Sequence, residues 1–228
     1  MEQCIEICTK SSQTAVPFPG QLAVLGWYHD WFGGILEQIY SLTKDEKVIN
    51  RAIQVSQNAA EVYQKAGMPS RVAEVHWKAA RLYDQRSEYA KAADNFEEAS
   101  KNYQLVAEKI PQFKCFYTDH KSYMQAWSEF EKAKLAHQKE QYQQAKTHFE
   151  NAANLLKPTK RWDYLAPNFI AWATLEQAED FSKQEKSDEA RQAFQQAADQ
   201  FAHAETSLHE EAKKIEDPDE KAKTLELS

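Results

Sequence analysis

Tyr89-x-x-Ala92-x-x-x-Phe96-x-x-Ala99 decides the fold, because the chain writes the same phrase twice more. It returns as Tyr142-x-x-Ala145-x-x-x-Phe149-x-x-Ala152 and as Ser187-x-x-Ala190-x-x-x-Phe194-x-x-Ala197. One helical turn beyond each last alanine stands another apolar residue: Tyr103, Leu156 and Phe201. Steps of three and four residues place every member of a phrase on one face of a helix. The alanines let a neighbouring helix approach closely, and the phenylalanine fills the space between them. Recurrence of such a unit predicts an all-α fold of stacked antiparallel helical hairpins, a scaffold suited to binding.

Glycine usage agrees. The chain has five glycines, and none follows Gly67. Tight turns between strands commonly need glycine to reach positive φ, so the long run from Arg71 to Ser228 reads as helix throughout. With 228 residues, 42% hydrophobic and 28% charged, the chain is long enough to bury a core and too apolar to remain disordered. A net charge of −7 disfavours binding to nucleic-acid phosphates, which requires a positive field. Cys4, Cys8 and Cys115 form no zinc pattern and leave an odd thiol, so a reducing, cytoplasmic setting is expected. The N-terminus lacks a basic segment followed by an apolar one, so no secretory signal is expected. The most apolar stretch, Gln21 to Leu42, contains His29, Asp30 and Glu37 and is too polar to span a membrane.

The order along the chain follows. Residues 1–20 read as a weakly structured segment or short helix around Ile5, with Pro17 and Pro19 as breakers. Residues 21–217 read as one helical repeat domain, and 218–228 as a polar tail. The first long helix has Leu22, Leu25, Tyr28 or Trp31, Phe32, Ile35, Leu36 and Ile39 at helical spacing, and Gly33-Gly34 marks a bend or a close packing point. Thr43 is the expected N-cap of the next helix, with Glu46 completing a capping box. That helix ends at Ala66-Gly67-Met68-Pro69. Charged junctions at 85–88, 138–140 and 184–187 then split the proline-bounded blocks into antiparallel pairs.

This arrangement resembles the tetratricopeptide repeat family, from about Ala73 to Glu205, with a fainter copy at Ala52, Ser56 and Ala59. The small or aromatic first-helix positions match Ala80 and Tyr83, Ala133 and Ala136, Ala178 and Phe181. The intervals from Ala92 to Ala145 and from Ala145 to Ala190 exceed the family's roughly 34 residues, so this is a degenerate, long-helix variant. The resemblance implies that first helices line a concave groove that takes a peptide or partner helix. Carried over position by position, it nominates Trp77, Arg81 and Asp84, then Trp127, Phe130, Lys134 and His137, then Trp172, Leu175, Glu176 and Glu179. It implies a noncatalytic adaptor for a protein or peptide ligand; charge, polarity and motifs add the expectation of no cofactor or metal and of neither nucleic acid nor membrane as partner. Aromatics at helical spacing more often fill a core than a groove, and at least one of the three tryptophans is expected to be structural.

Two rivals stand beside it. Arg71-x-x-x-x-His76 resembles the Arg-x4-His signature of the HEPN family of all-helical ribonucleases, in which the pair would stabilise phosphate charge and move protons. Self-association into a homodimer is the other, through the aromatic first helix bearing Trp27, Tyr28, Trp31 and Phe32, whose preferred role is packing against the first repeat. Phosphate-cradling glycine loops, nucleophile elbows and Glu-x-x-His metal pairs are absent from the sequence. The basic run Lys157-Pro158-Thr159-Lys160-Arg161-Trp162 is read as cations at the negative end of a helix.

Overall fold

The computed structural model describes residues 18–214. Among them every regular element is helical. The α-helices are α1 (Pro19–Thr43), α2 (Glu46–Lys65), α3 (Pro69–Gln85), α4 (Tyr89–Lys109), α5 (Lys114–Gln138), α6 (Tyr142–Leu156), α7 (Ala166–Lys183) and α8 (Ser187–Lys214), with 3-10 turns at Pro111–Phe113 and Asp163–Leu165. The all-α class is therefore what the chain adopts. The helix expected around Ile5, the thiols Cys4 and Cys8, the end of the last helix near Asp217-Pro218 and the tail 218–228 lie outside the described residues.

The chain divides into two compact units, the first ending at Met124 and the second beginning at Gln125, within α5. In the first unit α1 runs antiparallel to α2, so that Gly26 meets Tyr63 and Gly33 meets Ser56. On α2, Ile49, Ala52, Ile53, Val55, Ser56, Ala59, Ala60 and Tyr63 are buried, a spacing of three and four that turns one continuous face inward. Ile49, Ala52, Ile53 and Val55 form one core with Leu36, Leu82, Tyr83 and Ala92, against which Phe32 and Tyr40 pack. Ala59, Ala60 and Tyr63 form a second with Val72 and Val75. Fully burying an aliphatic side chain of this size contributes roughly 1.5–3 kcal/mol before entropy is counted.

The helix ends differ from expectation at one place. The N-cap of α2 is Asp45, whose carboxylate accepts from the Lys47 amide at 2.8 Å; Thr43 instead belongs to α1, where its hydroxyl donates to the Ile39 carbonyl at 2.8 Å. A carboxylate beside the positive end of a helix caps more strongly than a threonine whose hydroxyl is already engaged. Pro19 starts α1, since the first helical turn has no use for its missing N–H.

One turn closes four of the helices. Gly67, Ser87, Glu140 and Glu185 all adopt positive φ, between 54° and 70°. The next amide in each case reaches back to the preceding helix: Met68 to Tyr63, Glu88 to Tyr83, Gln141 to Ala136 and Lys186 to Phe181, at 2.9–3.0 Å. This is the six-to-one bond of a Schellman turn, made three times without glycine.

In the second unit, Lys146 reaches Gln177 at 2.9 Å and Phe149 lies 5.9 Å from Trp172, which sets α6 antiparallel to α7. The repeated phrase behaves alike in its first two copies: Ala92, Phe96, Ala99 and Tyr103 are buried, as are Ala145, Phe149, Ala152 and Leu156. The third copy departs from them. Ala190 and Ala197 are buried but Phe194 is 38% exposed. Helix α8 packs on α7 and on the turn at Asp163–Leu165, and among the described residues no later helix follows it.

Candidate interaction site

The residues nominated for a groove fall into different surroundings. In the second unit Trp127, Phe130 and Trp172 are half-buried and belong to one run of rings. Trp127 and Phe130 lie 5.1 Å apart and meet Phe169 at 5.9 and 5.5 Å. Phe130 continues to Phe149 at 5.7 Å, Phe149 to Trp172 at 5.9 Å, and Trp172 to Phe201 at 5.3 Å. All but the Phe149–Trp172 stack are edge-to-face, the arrangement that ring quadrupoles favour. Trp127 and Trp172 thus share the job of packing on a neighbouring helix's phenylalanine. The ammonium of Lys134 sits 5.2 Å from the Phe130 ring centre and 3.5 Å from the buried Glu131 carboxylate. In the first unit Trp77 meets the edge of Tyr123 at 5.9 Å, and the exposed Arg81 lies 3.8 Å from Glu37 of α1.

Glu176 is 2% exposed. Its two carboxylate oxygens lie 3.0 and 3.1 Å from His137 Nδ1. Burial pushes the Glu176 carboxyl above the ordinary carboxylate range, and the His137 contact opposes that shift only in part. Within the window between its unfolded and its raised folded value, the native state binds more protons, so this group's contribution to stability is lost as pH rises. Glu176→Gln, neutral at every pH, is expected to gain thermal stability relative to wild type from about pH 4.5 upward. Melting curves at intervals from acid to neutral pH check this; a constant difference between the two proteins would refute it.

Among the described residues of the first unit, α1 leaves Val24, Trp27, Trp31, Ile39 and Leu42 exposed. The aromatic segment expected to pack inward divides instead: Phe32 joins the core, whereas Trp27 and Trp31 are 52% and 47% exposed. Their rings stack in parallel, 5.9 Å apart. Val24, one turn before them, and Leu42, near the far end of the helix, are exposed as well. A shallow furrow runs past the tryptophans, lined by Trp27, Asp30, Trp31, Gly34, Gln38 and, from α3, Lys78. Asp30 accepts from the Lys78 ammonium at 2.6 Å, so the charges at the border of the furrow are matched. Helix α1 is apolar on two sides, which is why spacing alone does not say which rings turn inward; the signal that was available is the pair of tryptophans four residues apart, off the Phe32–Leu36 face.

Other chemistry-bearing residues have local partners. Arg71 pairs with Glu74 at 2.7 Å on its own helix, and His76 Nδ1 lies 2.9 Å from the Asn95 amide oxygen on α4. At the end of α6 the Thr159 hydroxyl donates to the Leu156 carbonyl at 2.7 Å and accepts from the Trp162 amide at 3.3 Å, so the basic run there folds over a helix terminus with Trp162 turned inward. Among the described residues no cluster of histidine, cysteine or acidic side chains is arranged to hold a metal, and no helix is long and apolar enough to cross a membrane. Compared with family models, with curated proteins and with solved structures, the chain matches none.

Proposed function

We propose that this chain is a noncatalytic interaction module of tetratricopeptide-like design, an adaptor that takes a protein partner through the Trp27–Trp31 face of α1. The observation that carries this reading is the half exposure of two stacked tryptophans beside a furrow. Large apolar surface left in water is costly, and on soluble proteins it commonly marks a contact site in which aromatic residues supply most of the binding energy. The tetratricopeptide-like part rests on the recurring Ala-x-x-x-Phe phrase, on the repeated Schellman turn, and on the antiparallel order of successive helices within each unit. A helical segment is the partner best suited to the face, since its own apolar stripe would lie along α1.

The test is capture of partners by purified wild type beside a Trp27→Ala, Trp31→Ala double variant and an Arg81→Ala, Trp127→Ala, Lys134→Ala triple variant, each confirmed folded by circular dichroism. A partner held by wild type and by the triple variant, but lost with the double variant, is expected. Retention by the double variant would move the site away from α1. RNA cleavage by the wild type, abolished by Arg71→Ala or His76→Ala in a folded protein, would overturn the noncatalytic reading.

A further inference from the structure

We infer that the partner of the Trp27–Trp31 face is a second copy of this chain, the two α1 helices lying side by side and antiparallel. This rests on the reading of that face as an interaction surface and names its occupant. Gly20, Val24, Trp27, Trp31, Gly34, Gln38 and Ser41 follow one another by alternating steps of four and three residues, the seam spacing of a two-helix coiled coil. The seam is uneven: its bulkiest residues, Trp27 and Trp31, fall at or before its midpoint, and Gly34 and Ser41 fall after it with Gln38 between them.

A two-fold axis across the seam brings the earlier half of one helix's seam onto the later half of the other's. Trp31 then enters the notch at the other copy's Gly34, Trp27 covers Gln38 and Val24 covers Ser41, with each contact repeated by symmetry. The notch is open: a Cβ added at Gly34 would meet nothing within 4 Å. A parallel pair would set tryptophan against tryptophan and leave glycine facing glycine, with a void between them.

Charge selects the same occupant. No acidic or basic residue stands on the seam, and along its border Asp30 is matched by Lys78 at 2.6 Å and Glu37 by Arg81 at 3.8 Å. A strongly charged partner finds no complementary charge there, and an anionic lipid surface finds none of the Lys/Arg-rich face that interfacial helices use. An identical face brings no unmatched charge onto the seam, and the Asp30–Lys78 and Glu37–Arg81 pairs at its border keep their partners. The half-exposed tryptophans leave roughly 100 Å² each to be covered. With Val24, Ile39 and Leu42 this reaches roughly 1,000 Å² over the two copies, the lower edge for a specific interface. The dimer is therefore weak, with a dissociation constant on the order of 10–100 µM.

Sedimentation equilibrium of the full chain from about 5 to about 500 µM tests this. The mass of the wild type is expected to rise from 26.3 kDa toward twice that value. Gly34→Leu fills the notch with a better helix former, so it is expected to melt at or above the wild-type temperature yet remain a monomer. Trp31→Ala removes the knob and is expected to weaken association at least tenfold, about 1.4 kcal/mol. A wild type that stays at 26.3 kDa throughout, or a Gly34→Leu protein that associates like wild type, overturns the proposal. A monomeric wild type that still captures a different protein through Trp27 and Trp31 overturns self-association while leaving the interaction reading standing. If nothing binds the face in either assay, both fall.

Discussion

Phe149→Ala is expected to cost about 3–5 kcal/mol of stability, whereas Phe194→Ala, at the same position of the third phrase, is expected to cost under about 1 kcal/mol. Phe149 is 2% exposed and sits between Phe130 and Trp172, 5.7 and 5.9 Å away. Its removal would leave a cavity among rings that cannot all collapse inward together. Phe194 is 38% exposed and lies along a shallow furrow with Ser182, Ala190, Arg191 and Ala198, where water replaces the lost ring at little cost. Urea titrations of the two variants, with the circular-dichroism transition compared to wild type, measure the difference. Equal losses at the two positions would mean that burial, as described, does not govern the repeat. Phe96→Ala, buried like Phe149, is expected to fall with the larger group.

The second contrast is between two glycines of one helix. Gly26→Ala is expected to destabilise the first unit by up to about 2 kcal/mol, the surplus of an overpacking cost of about 1–3 kcal/mol over the gain of about 1 kcal/mol from helix propensity. A Cβ at Gly26 would stand 2.6 Å from Tyr63 Cε1 and 2.7 Å from its Cδ1. The ring is 3% exposed and has nowhere to swing, so α1 must shift away from α2. Burial also holds the Tyr63 phenol up at about 12, in keeping with a ring closed off from water. Gly34→Ala meets nothing and is expected to stabilise by about 0.5–1 kcal/mol. Denaturation midpoints of the two variants should move in opposite directions; a shared direction would refute the close approach at Gly26.

Much of this was legible from the chain, and the readable part has a common cause. Helix positions follow from the three-and-four spacing of Ala92, Phe96, Ala99 and their equivalents, because that period is a property of the local backbone. The stop at Gly67 was readable for the same reason, since glycine is the residue that most readily takes the positive φ of such a turn. Ser87, Glu140 and Glu185 take the same conformation without glycine's signature, so the turns were placed by their charge and their conformation was not. Thr43 and Asp45 are both good caps by type, and competition for the Thr43 hydroxyl within α1 decides between them.

Sequence alone determined the helical class, the hairpin junctions and the faces on which the repeated alanines lie, since each depends on neighbours a few residues apart. Tertiary structure decided what those faces meet. It turned Phe32 inward and left Trp27 and Trp31 in water, it buried Phe149 and exposed Phe194, and it brought Glu176 to His137. Equivalent side chains on equivalent helices differ only in whether another helix covers them, and that is settled by packing between distant segments, which local periodicity does not encode.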